Sequence, residues 1–308
     1  AGLSREHADI THPQVTAAVR KHLLSGGPTW SLAHPLEAEV ADTVRRLAGF
    51  PQGQVRFVRT GSEACSAAIR LARTYTGRDL VLSCGYHGWH DTALTAPPAW
   101  GVPAAIKALT RTFPFNRLDL AEIAFFGLDC DGTGKVGRIG ADDPTIHGDY
   151  LAAVIVEPVT LDAPVPGFLQ GLRKLCTRFG ALLIFDECIS GGRYPEYTAG
   201  RHYGVRPDLC VLSKSLANGY PLAAVVGPRE VMRAFDVDYR QGDPRGSGPL
   251  YVSGTWATES VGFAAARATL DTWERCRVAE QLWASGESLR VTLTSDGTEG
   301  WLRGQPYR

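Results

Sequence analysis

Short apolar runs alternate with amphipathic segments along most of the chain. Between residues 37 and 47, apolar side chains recur every three or four positions, which places them on one face of a helix. The runs at residues 152–156 and 182–185 are instead short and continuously apolar. Such runs are typical of parallel strands that helices cover on both faces. The same criteria predict further strands at residues 55–58, 79–83, 209–212 and 223–226, and further helices at 63–74, 168–179 and 258–273.

The alternation of strands and helices predicts an α/β fold. Strands separated by helical segments are typical of a doubly wound, mainly parallel sheet flanked by helices. We expect one large domain over residues 34–255, an N-terminal segment at residues 1–33, and a C-terminal segment at residues 256–308.

Composition and charge exclude several function classes. The 308 residues include 32 Lys and Arg against 32 Asp and Glu, so the formal net charge is zero. A neutral chain offers no general attraction to phosphate backbones, and we expect no nucleic-acid partner. No apolar run approaches the roughly 18 residues that span a bilayer, and the charged first ten residues do not resemble a signal peptide. We therefore expect a cytoplasmic protein without a membrane partner.

The candidate metal ligands are weakly organised in the sequence. Seven cysteines are widely spaced and form no CxxC motif, which favours structural thiols over a zinc site or disulfides. His87 and His90 lie three residues apart, but only Asp91 accompanies them, so we predict no metal site. The Gly- and Asp-rich stretch at residues 129–140 superficially resembles a calcium loop but lacks the closing glutamate, which favours a polar surface loop.

Two of the predicted strands lead into residues that could bind or react. Ligands of open α/β sheets bind at the carboxyl ends of the strands. The first predicted strand leads into Thr60-Gly61-Ser62, where free N–H groups and a helix dipole suit a phosphate; an ordinary helix cap is the alternative. Lys214 follows the strand at residues 209–212 and could act as a Schiff-base nucleophile, although a lone lysine there is usually a surface residue.

Two further sets complete the pattern. Asp186 and Glu187 end a buried strand, where a carboxylate is costly unless a cation meets it. The protonated pyridine nitrogen of a bound cofactor would be such a cation, and a salt bridge or a helix-start carboxylate is the alternative. Tyr86 and His87 stand between glycines, where an aromatic ring could stack on a flat ligand. Together, a phosphate cradle, a stacking ring, an acid and a lysine are what pyridoxal phosphate requires.

These residues identify a resemblance. The chain resembles the class III, fold-type I aminotransferases that depend on pyridoxal phosphate, and it is most similar to their glutamate-1-semialdehyde aminomutase branch. The resemblance covers about residues 11–274 and is specific for fold and cofactor but not for substrate. Its motifs are Arg59-Thr60-Gly61-Ser62-Glu63-Ala64, Tyr86-His87-Gly88, Val156-Glu157-Pro158-Val159, Phe185-Asp186-Glu187, Leu212-Ser213-Lys214, Gly219-Tyr220-Pro221-Leu222 and Gly254-Thr255.

The resemblance implies a role for each matching residue. Lys214 is expected to form the Schiff base and to move the substrate proton, and Asp186 to pair with the pyridine nitrogen. Glu157 is expected near the substrate amine and the cofactor hydroxyl. Four other residues complete the expected cofactor site: Gly61 and Ser62 at the phosphate, Tyr86 on the ring, and His87 beside it. Thr255 is expected to complete the phosphate site of a neighbouring subunit, which implies a homodimer.

The implied function is amino-group transfer on a small amino acid, amino-aldehyde or keto substrate, as an aminotransferase or an aminomutase. A racemase or decarboxylase of the same fold, or a shortened relative without turnover, is the alternative. Trp30 and Arg193 are candidates for substrate contact. Relative to the family, we expect short segments before residue 11 and after residue 258, and the residues after Asp186-Glu187 depart from the usual pattern.

Overall fold

The computed structural model describes residues 12–30, 32–93, 100–125, 128–130, 136–138, 151–236, 239, 249–294 and 304. The strands are β1 (Gln54–Val58), β2 (Leu80–Cys84), β3 (Thr110–Thr112), β4 (Leu128–Cys130), β5 (Val136–Arg138), β6 (Leu151–Val156), β7 (Leu182–Asp186), β8 (Leu209–Leu212) and β9 (Ala223–Gly227). The α-helices are α1 (Pro13–Leu24), α2 (Pro35–Leu47), α3 (Gly61–Thr76), α4 (Ala104–Lys107), α5 (Leu118–Phe125), α6 (Phe168–Phe179), α7 (Ala199–His202), α8 (Arg229–Met232), α9 (Ser260–Cys276) and α10 (Val278–Thr294). Two 3₁₀ turns lie at Lys214–Ala217 and Arg233–Phe235.

Seven of the described strands form one sheet in the order β1-β9-β8-β7-β6-β2-β3, and β4 pairs antiparallel with β5 in a separate two-stranded sheet. Strands β3, β2, β6, β7 and β8 are parallel to one another. Strand β9 is antiparallel to both β8 and β1, with Gln54 opposite Gly227 and Val58 opposite Ala223. Strand β1 therefore points the same way as β8. Consequently β1, β2, β6, β7 and β8 all end at one edge of the sheet, where β9 begins.

Helices cover both faces of this sheet. In β7, Ile184 packs with Ala68 of α3 on one face, whereas Leu183 and Phe185 pack with Leu172 of α6 on the other. On that second face α9 covers the β8 and β9 end. Buried apolar side chains of this kind contribute roughly 1.5–3 kcal/mol each. The mainly parallel α/β fold predicted from the apolar runs is confirmed.

The ends of α3 are defined by local chemistry. The Thr60 hydroxyl accepts a hydrogen bond from the Glu63 N–H at 3.2 Å, and the Glu63 carboxylate accepts one from the Thr60 N–H at 2.8 Å. This capping box starts the helix at Gly61, two residues before the predicted start. At its other end the helix stops at Gly77, which has a φ of 69°.

Three regions complete the comparison with the predicted elements. Strand β3 lies in no predicted run, because it is three residues long and contains no apolar side chain. Of the calcium-like stretch, the structure describes only residues 129–130 and 136–138, so that prediction lies mostly outside the described residues. Among the described residues, no helix combines the length and apolar character that crossing a membrane requires.

Candidate active site

A cleft lies at the sheet edge where the parallel strands end. Its volume is about 560 Å³, which is within the usual range for sites that bind cofactors and small molecules. The lining comes from the residues that follow five strands and precede β9: Arg59 to Ser62 after β1, Tyr86 to Gly88 after β2, Glu157 after β6, Asp186, Cys188 and Ile189 at β7, Ser213 and Lys214 after β8, and Gly219 to Leu222 before β9, with Cys65 from α3.

The amino terminus of α3 forms one wall of this cleft. The first N–H groups of a helix have no partner within it, and the helix dipole favours an anion there. A Cβ atom on Gly61 would lie 2.9 Å from the Cys188 Sγ, so only glycine lets the two segments approach this closely. The Ser62 hydroxyl accepts a hydrogen bond from the Trp89 N–H at 3.4 Å. This wall has the geometry of an anion site.

Asp186 is buried at the base of the cleft and accepts three hydrogen bonds. Its Oδ2 atom lies 2.8 Å from the His87 Nδ1 and 3.3 Å from the Cys65 Sγ, and its Oδ1 accepts the Cys188 N–H at 3.1 Å. Burial raises the pKa of Asp186, but the hydrogen bonds and the neighbouring imidazole of His87 outweigh burial and hold it below its ordinary value. The carboxyl group is therefore kept ionised inside the protein.

The His87 ring joins Asp186 to the backbone of β2. Its Nε2 atom lies 3.1 Å from the Cys84 carbonyl oxygen, which can only accept a hydrogen bond. The Nε2 atom therefore carries a proton. The ring is fixed at both nitrogens, with its Nδ1 atom facing the carboxylate.

Glu157 holds the backbone of the loop that carries Tyr86. Its Oε2 atom accepts the Tyr86 N–H at 3.0 Å, and the preceding Gly85 has a φ of 105°. A Cβ atom on Gly85 would lie 2.5 Å from that same Oε2 atom. The loop can therefore pass over the buried carboxylate only with glycine at this position, and the Tyr86 side chain remains 59% exposed at the cleft.

Lys214 stands at the end of β8 with an unusual backbone. Its φ is 45°, in the left-handed region that residues other than glycine seldom adopt. The side chain is exposed and lines the cleft. Backbone strain of this kind is commonly found at functional positions.

Seven of the predicted site residues line this one cleft: Lys214, Asp186, Glu157, Gly61, Ser62, Tyr86 and His87. The other three lie elsewhere. Trp30 packs on Trp256, with ring centroids 5.0 Å apart. Arg193 is buried, and its Nε donates to the Ile189 carbonyl at 2.8 Å. Thr255 is exposed in a separate surface pocket.

Sequence reasoning missed two cysteines in the cleft. Cys65 follows Gly61 by four residues and Cys188 follows Asp186 by two. On a helix, the first spacing places both residues on one face, so this signal could have found Cys65.

Glu187, next to Asp186, is buried away from the cleft, where it accepts hydrogen bonds from the N–H groups of Ala199 and Gly200. Burial raises the pKa of Glu187.

Comparisons with known proteins agree with this geometry. A family model described as aminotransferase class-III matches residues 8–299. The chain is 37% identical over 282 residues to the glutamate-1-semialdehyde 2,1-aminomutase 2 of Exiguobacterium sibiricum, and the match covers 86% of this chain and 57% of that protein. The chain thus spans little more than half the length of this relative.

Solved structures show the same likeness. The FumI protein of Sphingopyxis sp. MTA144, in its PLP internal aldimine form, superposes with a TM-score of 0.76 and 25% identity over 94% of this chain and 63% of that chain. An omega-transaminase from Sphaerobacter thermophilus gives a TM-score of 0.76 and 27% identity over 94% and 65% of the two chains.

Proposed function

The chain belongs to the aminotransferase class-III family, and on that premise we propose that it is a pyridoxal-phosphate-dependent enzyme that transfers an amino group. One observation carries the proposal. Lys214 and the buried, ionised Asp186 share a cleft with the amino terminus of α3. A primary amine, a carboxylate and an anion site therefore line the same space.

The residues present fit this cofactor. A phosphate would lie against Gly61 and Ser62, where the missing Cβ of Gly61 leaves room beside Cys188. The pyridine nitrogen would meet Asp186, and the Tyr86 ring is exposed where it could stack on the pyridine. Lys214 would hold the aldehyde group covalently. When bound, the cofactor supplies an electron sink for negative charge at the substrate carbon.

The chain's own residues then supply the proton chemistry. The Asp186 carboxylate would keep a proton on the pyridine nitrogen, because the three hydrogen bonds that it accepts keep it ionised. The Lys214 amine would take the proton from the substrate carbon and return it at a second position. Glu157 would fix the Tyr86 loop through the backbone N–H and set the height of the ring over the cleft.

The substrate class is a small amino acid, amino-aldehyde or keto compound. Likeness to an aminomutase supports transfer within one molecule, and likeness to an omega-transaminase supports transfer between two. Both reactions begin with the same proton removal at the carbon that bears the amine, so the cleft serves either. The cleft is also compatible with racemisation or decarboxylation, the alternatives left open by the sequence.

Absorbance of the purified protein tests the cofactor assignment. We expect the wild-type chain to take up one pyridoxal phosphate with a visible band, and borohydride to fix the cofactor on Lys214. Lys214→Ala should lose the covalent link, whereas Lys174→Ala, an exposed lysine of α6, should keep it. A wild-type chain that remains colourless and takes up no cofactor would reject the proposal. A band that no amine donor in a screened panel converts would instead reject amino transfer.

The partner in this proposal is a second copy of the chain. Thr255 lies outside the cleft of its own chain, and Tyr251 and Trp256 beside it are 77% and 52% exposed. A neighbouring subunit would cover these aromatic rings and receive Thr255 at its phosphate.

Mixed dimers test this arrangement. Co-expressed Lys214→Ala and Thr255→Val chains should recover about a quarter or more of the activity, because one cleft of each mixed dimer keeps both native residues. Activity that is no higher than in either parent, from a confirmed mixed dimer, would contradict it.

A further inference from the structure

Three side chains with metal-binding atoms meet under the cleft. Cys65, His87 and Asp186 are 1%, 1% and 4% exposed. The ligand atoms of Cys65, His87 and Asp186 all lie within 4.8 Å of one another.

This set of donor atoms is selective. Thiolate and imidazole together favour zinc and similar thiophilic divalent cations, and a carboxylate is a common third ligand. Calcium and magnesium prefer oxygen atoms alone. The cluster therefore suits zinc rather than the hard cations.

The geometry is close to that of a metal site. Zinc–ligand distances of about 2.0–2.3 Å place neighbouring ligand atoms of a tetrahedral site about 3.3–3.8 Å apart. The Cys65 Sγ and Asp186 Oδ2 are already 3.3 Å apart, whereas the His87 Nδ1 and that oxygen, at 2.8 Å, must separate by about 0.6 Å. Histidines that bind a metal usually donate their other ring N–H to a carbonyl or a carboxylate, which fixes the ring. The hydrogen bond from the His87 Nε2 to the Cys84 carbonyl has this role here.

We propose that Cys65, His87 and Asp186 bind a thiophilic divalent cation of the zinc class in the cofactor-free chain. Binding displaces the thiol proton of Cys65 and the proton between His87 and Asp186, and no group is oxidised or reduced. The cation and the cofactor exclude each other, because both need the Asp186 carboxylate. This exclusion rests on the proposed function; cation binding does not.

Cadmium titration of the cofactor-free protein tests the binding step, since cadmium thiolates absorb in the ultraviolet. We expect one cation per chain, at least tenfold weaker binding in Cys65→Ser, and unchanged binding in Cys276→Ser, a cysteine outside the cleft. Serine keeps a hydrogen-bond donor for Asp186. If Cys65→Ser does not give a native circular dichroism spectrum, His87→Gln serves as the second variant. The site would be overturned if a cleft variant with a native circular dichroism spectrum, Cys65→Ser or His87→Gln, bound cadmium as tightly as the wild type.

Loading with pyridoxal phosphate tests the exclusion. Prior loading should abolish the cadmium band, and prior cadmium should block loading until a chelator removes it. A loaded protein that still binds cadmium with unchanged affinity would overturn the exclusion. A chain that binds cadmium through Cys65 but never binds pyridoxal phosphate would instead refute the proposed function and leave the cation site standing.

Discussion

The hydrogen bonds around Asp186 allow the effect of Asp186→Asn to be worked out. The amide oxygen can still accept the Cys188 N–H, but the amide nitrogen would face the His87 Nδ1 and the Cys65 thiol. His87 can release its Nδ1 proton and accept, because its Nε2 proton remains bonded to the Cys84 carbonyl. We therefore expect a folded variant that is about 1–2 kcal/mol less stable.

The catalytic cost should be larger than the cost in stability. The variant would lack the negative charge that we propose to lie opposite the pyridine nitrogen. Removing one preorganised electrostatic group typically lowers kcat about 10²–10³-fold, or roughly 2.7–4 kcal/mol. Single-turnover absorbance with an amine donor measures this rate, and urea unfolding measures the stability. Asp119→Asn, at an exposed ion pair with Arg117, is the control that should change neither. A rate within threefold of the wild type, with cofactor bound, would refute the role of Asp186.

Three further predictions follow from the same geometry. Gly61→Ala should weaken pyridoxal phosphate binding at least tenfold, since its Cβ would press on the Cys188 Sγ. An affinity equal to that of the wild type would contradict the proposed cradle. Burial raises the pKa of Cys84 to about 12, and iodoacetamide reacts with the thiolate form of cysteine. At pH 8 the reagent should therefore label the partly exposed Cys276 first and Cys84 only on unfolding, which peptide mass spectrometry measures. The pKa of Asp186 is lower in the folded protein than in the unfolded chain, where it is about 3.9. Ionised Asp186 therefore stabilises the folded protein above that pH, and this contribution is lost as the pH falls through the pKa of the folded state. The stability difference between wild type and Asp186→Asn should therefore shrink in urea titrations from about pH 5 to about pH 3, and a constant difference would argue against an ionised Asp186.

The direction of β9 shows what the apolar pattern alone does not reveal. An apolar run predicts a strand but does not indicate whether that strand runs parallel or antiparallel to its neighbours. The connection from Leu212 to Ala223 does carry a signal, because its ten residues are shorter than the dozen or more that a parallel crossover requires. An antiparallel β9 was therefore predictable from length. Strand β3 was not, because its three polar residues are extended only through pairing with β2 at the edge of the sheet.

The candidate site was predictable to a similar extent. Strand ends located Gly61, Tyr86 and Lys214, because parallel strands bring their carboxyl ends to one edge. The choice between Asp186 and Glu187 came from the family resemblance, since the pleat places neighbours on opposite faces and the sequence does not say which face holds the cleft. The cluster of Cys65, His87 and Asp186 was missed because Cys65 and Asp186 are 121 residues apart and meet only through the packing of α3 on β7.

The pairing of β1 with β9 bears on synthesis at the ribosome. Strand β1, which leads into the amino terminus of α3, joins the sheet only through β9. Residues 54–58 must therefore wait until residues 223–227 have left the exit tunnel before they take their place. At about 5–20 residues per second, that delay is roughly 10–30 seconds. During this interval β2, β6 and β7, which lead to Tyr86, Glu157 and Asp186, can already pair, so we expect the β1 side of the cleft to be completed last.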